Sequence, residues 1–200
     1  MKLKYHIEKG RRYEIESEFE ITVEIVSGGN SANLTWALGG AATGRINNLR
    51  LGEAILLGRE TLQRNPVPGL HTDAITLVAE VIESKIKPSN PTGDIAQTAF
   101  GLQRAAKDRG QVLQSILAVG RQDIDPEGLE AAGGIRICGA SSDHLIIEST
   151  DHELPIGTEV VFQPNYSALL RAMTSPFVGK LHKHAGRVMN IRQRDLQAAS

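Results

Sequence analysis

Between Tyr13 and Val26 hydrophobic and acidic positions alternate almost without interruption. Tyr13, Ile15, Phe19, Ile21, Val23 and Ile25 fall on one side, and Glu14, Glu16, Glu18, Glu20 and Glu24 on the other. Period two predicts a strand or hairpin with one wet face. The alternate glutamates read as that solvated face rather than as a metal site. Ser27-Gly28-Gly29-Asn30-Ser31 breaks the pattern. Ala32 to Leu38 then predicts a short helix that Gly39-Gly40 ends. Ile46 to Leu51 predicts a second short strand, and Ile55 to Gln63 a second helix. Residues 23 to 63 therefore read as strand-turn-helix twice over, the grammar of a parallel α/β layer.

Asn65-Pro66-Val67-Pro68-Gly69 is a breaker and marks the expected domain boundary. Beyond it the runs Ala74–Ile86, Val112–Val119, Gly134–Ile137, Leu145–Glu148 and Glu159–Phe162 are short, strand-like and punctuated by Gly, Pro and Asp. They predict an antiparallel β sandwich or barrel. Tyr166 to Met173 predicts a short helix after Pro164, and the basic, polar stretch from Lys180 to Ser200 a frayed helix. The expected organisation is a strand-like segment at 1–22, an α/β segment at 23–65, a β domain at 66–180 and a polar tail at 181–200. Two α/β units cannot close a barrel of eight, which takes about 250 residues. The first segment is expected to be the end of something larger.

Composition narrows the classes. The 200 residues are 40% hydrophobic with a net charge of -1, enough apolar content for a real core. A near-neutral balance gives no electrostatic reason to expect nucleic acid or an anionic membrane as partner. No apolar run approaches the ~18 residues of a membrane span, and no secretory signal is expected at the N-terminus. The lone cysteine, Cys138, excludes an internal disulfide and fits a reducing, cytoplasmic setting. Lying in the alternating run Gly134-Ile135-Arg136-Ile137-Cys138, it reads as a buried structural residue rather than a reactive thiol.

The candidate chemistry lies at the two predicted βα turns. Helices starting near Ser31 and Gly52 each present unpaired backbone N–H groups, and glycine lets an anion approach closely. Two such turns on neighbouring parallel strands make a phosphate cradle, to which Ser31 adds a hydroxyl. The competing reading makes Ser31 a helix cap and Gly52 a packing glycine. Arg50, ending the strand Ile46–Arg50, would lie beside a phosphate held there, or would form a surface salt bridge.

Several stretches resemble the PLP-dependent alanine/ornithine racemase family. They are Ile25-Val26-Ser27-Gly28-Gly29-Asn30-Ser31-Ala32-Asn33-Leu34 and the run from Ile46 through Arg50-Leu51-Gly52-Glu53-Ala54 to Glu60. Pro68-Gly69-Leu70-His71-Thr72-Asp73-Ala74, Ala118–Pro126, Gly139–Leu145 and Asn165–Pro176 follow in the family's order. The likeness covers roughly residues 23 to 180. It implies the terminal strands and helices of a (β/α)₈ barrel followed by a mainly antiparallel β domain, usually paired as a head-to-tail homodimer. It also implies pyridoxal 5'-phosphate (PLP) as cofactor and an amino acid as substrate. Ser31, Gly52 and Glu53 would hold the phosphate, and Arg50 would approach the pyridine nitrogen and keep it unprotonated.

The family removes the α-proton on one face and returns it on the other, which needs two proton carriers. One is the Schiff-base lysine on the first barrel strand. Lys2, Lys4, Lys9, Lys85, Lys87, Lys107, Lys180 and Lys183 all stand in contexts unlike that strand. The other, in alanine racemases, is a tyrosine near which Phe100 stands here, with Thr98 where ornithine-type relatives hold an acid. Asp123, Asp143 and Tyr166 remain weak catalytic candidates, with His144 beside them. His182-Lys183-His184 offers two metal ligands and no more. The leading expectation is the C-terminal half of such a racemase, completed by a complementary chain that supplies the rest of the barrel. The alternatives are a non-catalytic interaction module or degenerate relative, and a phosphate-ligand binder without chemistry.

Overall fold

The computed structural model describes residues 18–40, 42–90, 108–131, 133–150, 153–184 and, for the backbone alone, 187–190. The chain divides into two compact units, Met1–Ala74 and Ile75–Ser200.

In the first unit β1 (Ser27–Asn30) and β2 (Asn48–Arg50) form a parallel pair, with Ser27 opposite Asn48 and Asn30 opposite Arg50. A 3₁₀ turn, Ser31–Asn33, and the helix α1 (Leu34–Leu38) connect them, and α2 (Glu53–Leu57) follows β2. Two consecutive β-α units are thus present. Leu34, Ala54 and Val67 form a small core, with Leu70 against it.

Two expectations for this unit need correction. Residues 21–26 form no strand, and Phe19, Ile21 and Ile25 are exposed. A ladder needs a partner backbone, and here, apart from the Asn47 and Asn48 N–H groups that donate to the Val26 carbonyl, a side chain takes its place. Asn47 Nδ2 donates to the Glu24 carbonyl and its Oδ1 accepts from the Val26 N–H. Residues 13–17 lie outside the described residues. The helix expected over Ile55–Gln63 stops at Leu57, because Gly58 turns left-handed (φ 65°) and its N–H caps the Ala54 carbonyl. A Cβ at Gly58 would stand 2.1 Å from the His71 carbonyl oxygen, so the close approach requires glycine. Beyond it the buried Glu60 carboxylate accepts the N–H groups of Leu62, Gln63 and Asn65 and closes a loop. The Asn65–Gly69 breaker returns to this unit: Pro66 bridges to Arg59, and the Val67 N–H donates to the Gly58 carbonyl.

The second unit is a six-stranded antiparallel sheet in the order β5-β8-β3-β4-β7-β6. Its strands are β3 (Leu77–Pro88), β4 (Gln111–Leu117), β5 (Leu129–Ala131), β6 (Ile135–Ala140), β7 (Leu145–Ser149) and β8 (Glu159–Pro164). The outer strands β5 and β6 approach each other, so the sheet is nearly closed into a barrel. Burial alternates residue by residue along β8, with Val160, Phe162 and Pro164 inside and Glu159, Val161 and Gln163 outside. Leu77, Ala79 and Val81 of β3, Leu117, Leu145, Ile147 and Ile124 complete the core. The helix α3 (Tyr166–Thr174) starts at Asn165, whose side chain caps the Ala168 N–H, and adds Ala172 to that core.

The tail differs from its expectation. Its described part is no frayed helix but a hairpin of β9 (Leu181–His184) and β10 (Arg187–Asn190), paired antiparallel. Phe162 is fully buried and its neighbour Val161 is 48% exposed. Phe162→Ala is expected to destabilise the second unit by about 3–5 kcal/mol, whereas Val161→Ala should change little. Urea unfolding followed by circular dichroism measures both.

Candidate functional site

The C-terminal ends of β1 and β2 lie side by side and bring three of the four predicted cradle residues together. Ser31 is buried directly after β1. Its Oγ accepts the N–H groups of Gly52 and Ala54 from the other turn, each at 3.3 Å. The hydroxyl thus caps the start of α2 across 21 residues of sequence. Having accepted two N–H groups, it keeps its own hydrogen for an acceptor. Gly52 is exposed, and no heavy atom lies within 4 Å of the place a Cβ would occupy. Arg50 is exposed at the end of β2, opposite Asn30 in the ladder. Among the described residues nothing forms an ion pair with it, so the predicted salt bridge is not formed there.

Glu53 behaves differently. Its carboxylate pairs with Arg64, which sits in the left-handed region at φ 64°. Only the backbone of Glu53 is left to face an anion. The donors left at the turn are the Ser31 hydroxyl, the Glu53 N–H and one neighbouring guanidinium, and open space lies in front of Gly52. That donor set and that opening fit a phosphate group.

The weak candidates of the second unit fall into structural roles or onto the surface. Asp123 is buried, and its Oδ1 accepts the Ser175 hydroxyl at 2.6 Å. This bond fastens the turn at 120–124 to the end of α3. The same turn is bonded to the 141–144 loop, Arg121 N–H to the Ser141 carbonyl and Gln122 N–H to that of Ser142. A Cβ on Gly120 would stand 2.3 Å from the Ser142 carbonyl oxygen, so glycine is required there too. Asp143 is exposed and accepts the Ser142 hydroxyl at 2.8 Å, and His144 is exposed beside it. Tyr166 opens α3 and is 39% exposed. Arg121 grips Glu127 with two hydrogen bonds, and this pairing holds the Glu127 carboxyl down to about 2. Phe100, Thr98, Lys2, Lys4, Lys9 and Lys107 lie outside the described residues.

Sequence reasoning missed a charge cluster on the sheet. Gln114, Glu148 and Arg136 are neighbours across β4, β7 and β6. The buried Glu148 carboxylate accepts from Arg109 and Arg136, each at 2.6 Å, and from Gln114 at 3.3 Å. Desolvation pushes its pKa up most strongly, but the bonds from Arg136 and Gln114 outweigh it and leave the group below the ordinary carboxylate value. The cross-strand spacing of a polar residue among apolar ones was the available signal. Cys138 corrects another expectation: it is exposed, not buried. Partial desolvation of the thiol, and then the Glu148 charge, push it up to about 11, which disfavours the thiolate.

Among the described residues no helix is long and apolar enough to cross a membrane, and no group of three or more His, Cys, Asp or Glu could hold a metal ion.

Comparison with known proteins adds the family. The chain is 39% identical over 170 residues to an ornithine racemase of Acetoanaerobium sticklandii, covering 84% of this chain and 48% of that protein. It is 39% identical over 182 residues to a lysine racemase of Thermotoga maritima, covering 90% of this chain and 51% of that one. The chain matches the C-terminal part of the alanine racemase-like family. It spans about half the length of the curated relatives it matches. The fold agrees. An alanine racemase of Bacillus anthracis with bound L-Ala-P superposes with a TM-score of 0.61 at 17% identity, over 92% of this chain and 52% of that one. An alanine racemase of Clostridium difficile 630 in complex with cycloserine gives 0.53 at 17% identity, over 88% and 50%. No family model matches the sequence. Within this alanine racemase-like chain the two β-α units and the antiparallel sheet correspond to a barrel end and a β domain, as the resemblance implied.

Two outcomes follow for stability. Ser31→Ala removes the acceptor for two N–H groups and is expected to cost about 1–2 kcal/mol, read from hydrogen exchange at Gly52 and Ala54. Glu148→Gln is expected to cost about 2 kcal/mol at neutral pH, where the carboxylate is charged in both states. A carboxylate depressed in the fold stabilises it above the ordinary value, and the contribution is lost as pH falls through the depressed one. The gap between the two proteins should therefore close as denaturation curves are taken from pH 6 down to pH 2.

Proposed function

We propose that this chain supplies the phosphate-holding end and the β domain of a PLP-dependent amino-acid racemase. The observation that carries the reading is the Ser31–Gly52 junction, where a hydroxyl with a free hydrogen meets an open turn. In it, the first unit, through Ala74, is the terminal barrel segment and the second unit, from Ile75, the β domain, in a cytoplasmic homodimer or in a complex with a complementary chain.

PLP, when bound, draws electrons from the substrate and so acidifies its α-hydrogen. The chain's own residues would serve that chemistry by position. The Ser31 hydroxyl and the Glu53 backbone N–H would hold the phosphate, the Gly52 and Ala54 N–H groups being engaged by Ser31 Oγ. Arg50 would approach the pyridine nitrogen and, as a permanent cation, would keep that nitrogen unprotonated. Of the two proton carriers, the lysine would come from the rest of the barrel, and the second carrier is still to be assigned. The substrate class is an amino acid with a cationic side chain, the type named in both sequence relatives. A second reading, a non-catalytic module, draws support from Ser31 already capping α2, which gives it a structural purpose without any ligand.

The test is racemisation of L-ornithine and L-lysine, followed by chiral chromatography. The chain is assayed with PLP alone, then mixed with a chain spanning the remaining barrel strands. Turnover is expected only in the mixture, and Arg50→Leu should lower it roughly tenfold or more, about 1.4 kcal/mol of barrier. A single borohydride-fixed PLP adduct on this chain alone, abolished by one lysine substitution, would overturn the division of labour. No turnover in the mixture would favour the non-catalytic module.

A further inference from the structure

The β9–β10 hairpin carries a feature that the proposed racemase chemistry does not use. His182 and His184 stand two residues apart on β9 and are exposed. Strand periodicity sends residues at i and i+2 to the same face. Their rings lie face to face at a centroid distance of 6.2 Å, tilted by only 16°. Pairing with β10 along Leu181–His184 fixes the backbone beneath them. Among the described residues no hydrogen bond or ion pair engages either imidazole. Two unengaged imidazoles on one rigid strand face are half of a four-coordinate shell for a borderline cation, which favours neutral imidazole nitrogen at about 2.0–2.1 Å.

We propose that His182 and His184 form a two-histidine surface chelate for a borderline divalent cation of the Zn²⁺ class. The stacked rings hold their nitrogen lone pairs in nearly parallel planes, so coordination turns both side chains out of the stack until one nitrogen from each meets a common ion. Two coordination positions then stay open to water or to a side chain of another molecule. Chelation by two ligands on one strand loses less freedom than capture by two separate histidines, because the hairpin has already ordered both.

The untagged full chain is titrated with ZnCl₂ by isothermal calorimetry at neutral pH. One saturable equivalent is expected, lost in both His182→Gln and His184→Gln and retained in His71→Gln and His144→Gln. Circular dichroism of the variants should match that of the parent, since both side chains are exposed. Absence of saturable binding in the parent would overturn the proposal. So would binding that survives in either His182→Gln or His184→Gln, which would place the ion elsewhere. None of these outcomes depends on PLP or on turnover, so the racemase reading stands or falls separately.

Discussion

The second unit hangs on one strand whose two halves are bonded to different partners. The first four residues of β3 pair with β8, from Leu77 opposite Phe162 to Glu80 opposite Glu159. The remainder pairs with β4, from Val81 opposite Leu117 to Pro88 opposite Gln111. The ladder to β4 is irregular between Val81 and Glu83, where an extra residue bends the strand. That bend lets one continuous strand serve two neighbours in a sheet that curls toward closure. It also keeps Leu77, Ala79 and Val81 on the inner face, where they meet Phe162 and Leu117. A one-residue slip would turn every one of them outward, so core and register specify each other.

The parts legible in the sequence were those in which local pattern and tertiary partner agree. The longer antiparallel strands after Ala74 have inward positions filled by apolar residues and turns filled by Gly, Pro and Asp, so period two was enough to find them; β5, only three residues long, was missed. The segment before Ser27 has an even cleaner alternation and is no strand in its described part. Alternation records the face a segment would bury, not whether a neighbouring backbone is there to pair with it. The helix from Ile55 ran on in the pattern past Gly58, because hydrophobic periodicity is blind to a left-handed residue. Only the close approach of the His71 carbonyl makes glycine obligatory there.

At the candidate site the residue types could be read, but not their pairings. Ser31 and Gly52 were each visible as turn residues. The bond between them spans two turns and exists only once β1 and β2 lie parallel. Glu53 looked equivalent to them, yet Arg64 takes its carboxylate, from a loop whose shape depends on the buried Glu60. Asp123 has a partner equally remote in sequence. The sequence offered a turn role first and a chemical one second, and neither pointed to the Ser175 hydroxyl 52 positions away that its carboxylate accepts. Distance in sequence hides such pairs, and burial reveals them.

The side chain of Asn47 deserves a last consideration, because it does the work of a peptide group. Its amide offers one donor and one acceptor in the arrangement a neighbouring strand would offer, to Glu24 and Val26. A real strand would repeat that offer every two residues and so lock many positions at once. Here the amide works together with the Asn47 and Asn48 N–H groups, which both donate to the Val26 carbonyl, and with the Arg45 guanidinium, which reaches the Val23 carbonyl. The chain leading into β1 is therefore held by the turn that precedes β2 rather than by a strand, and its alignment is set by that turn.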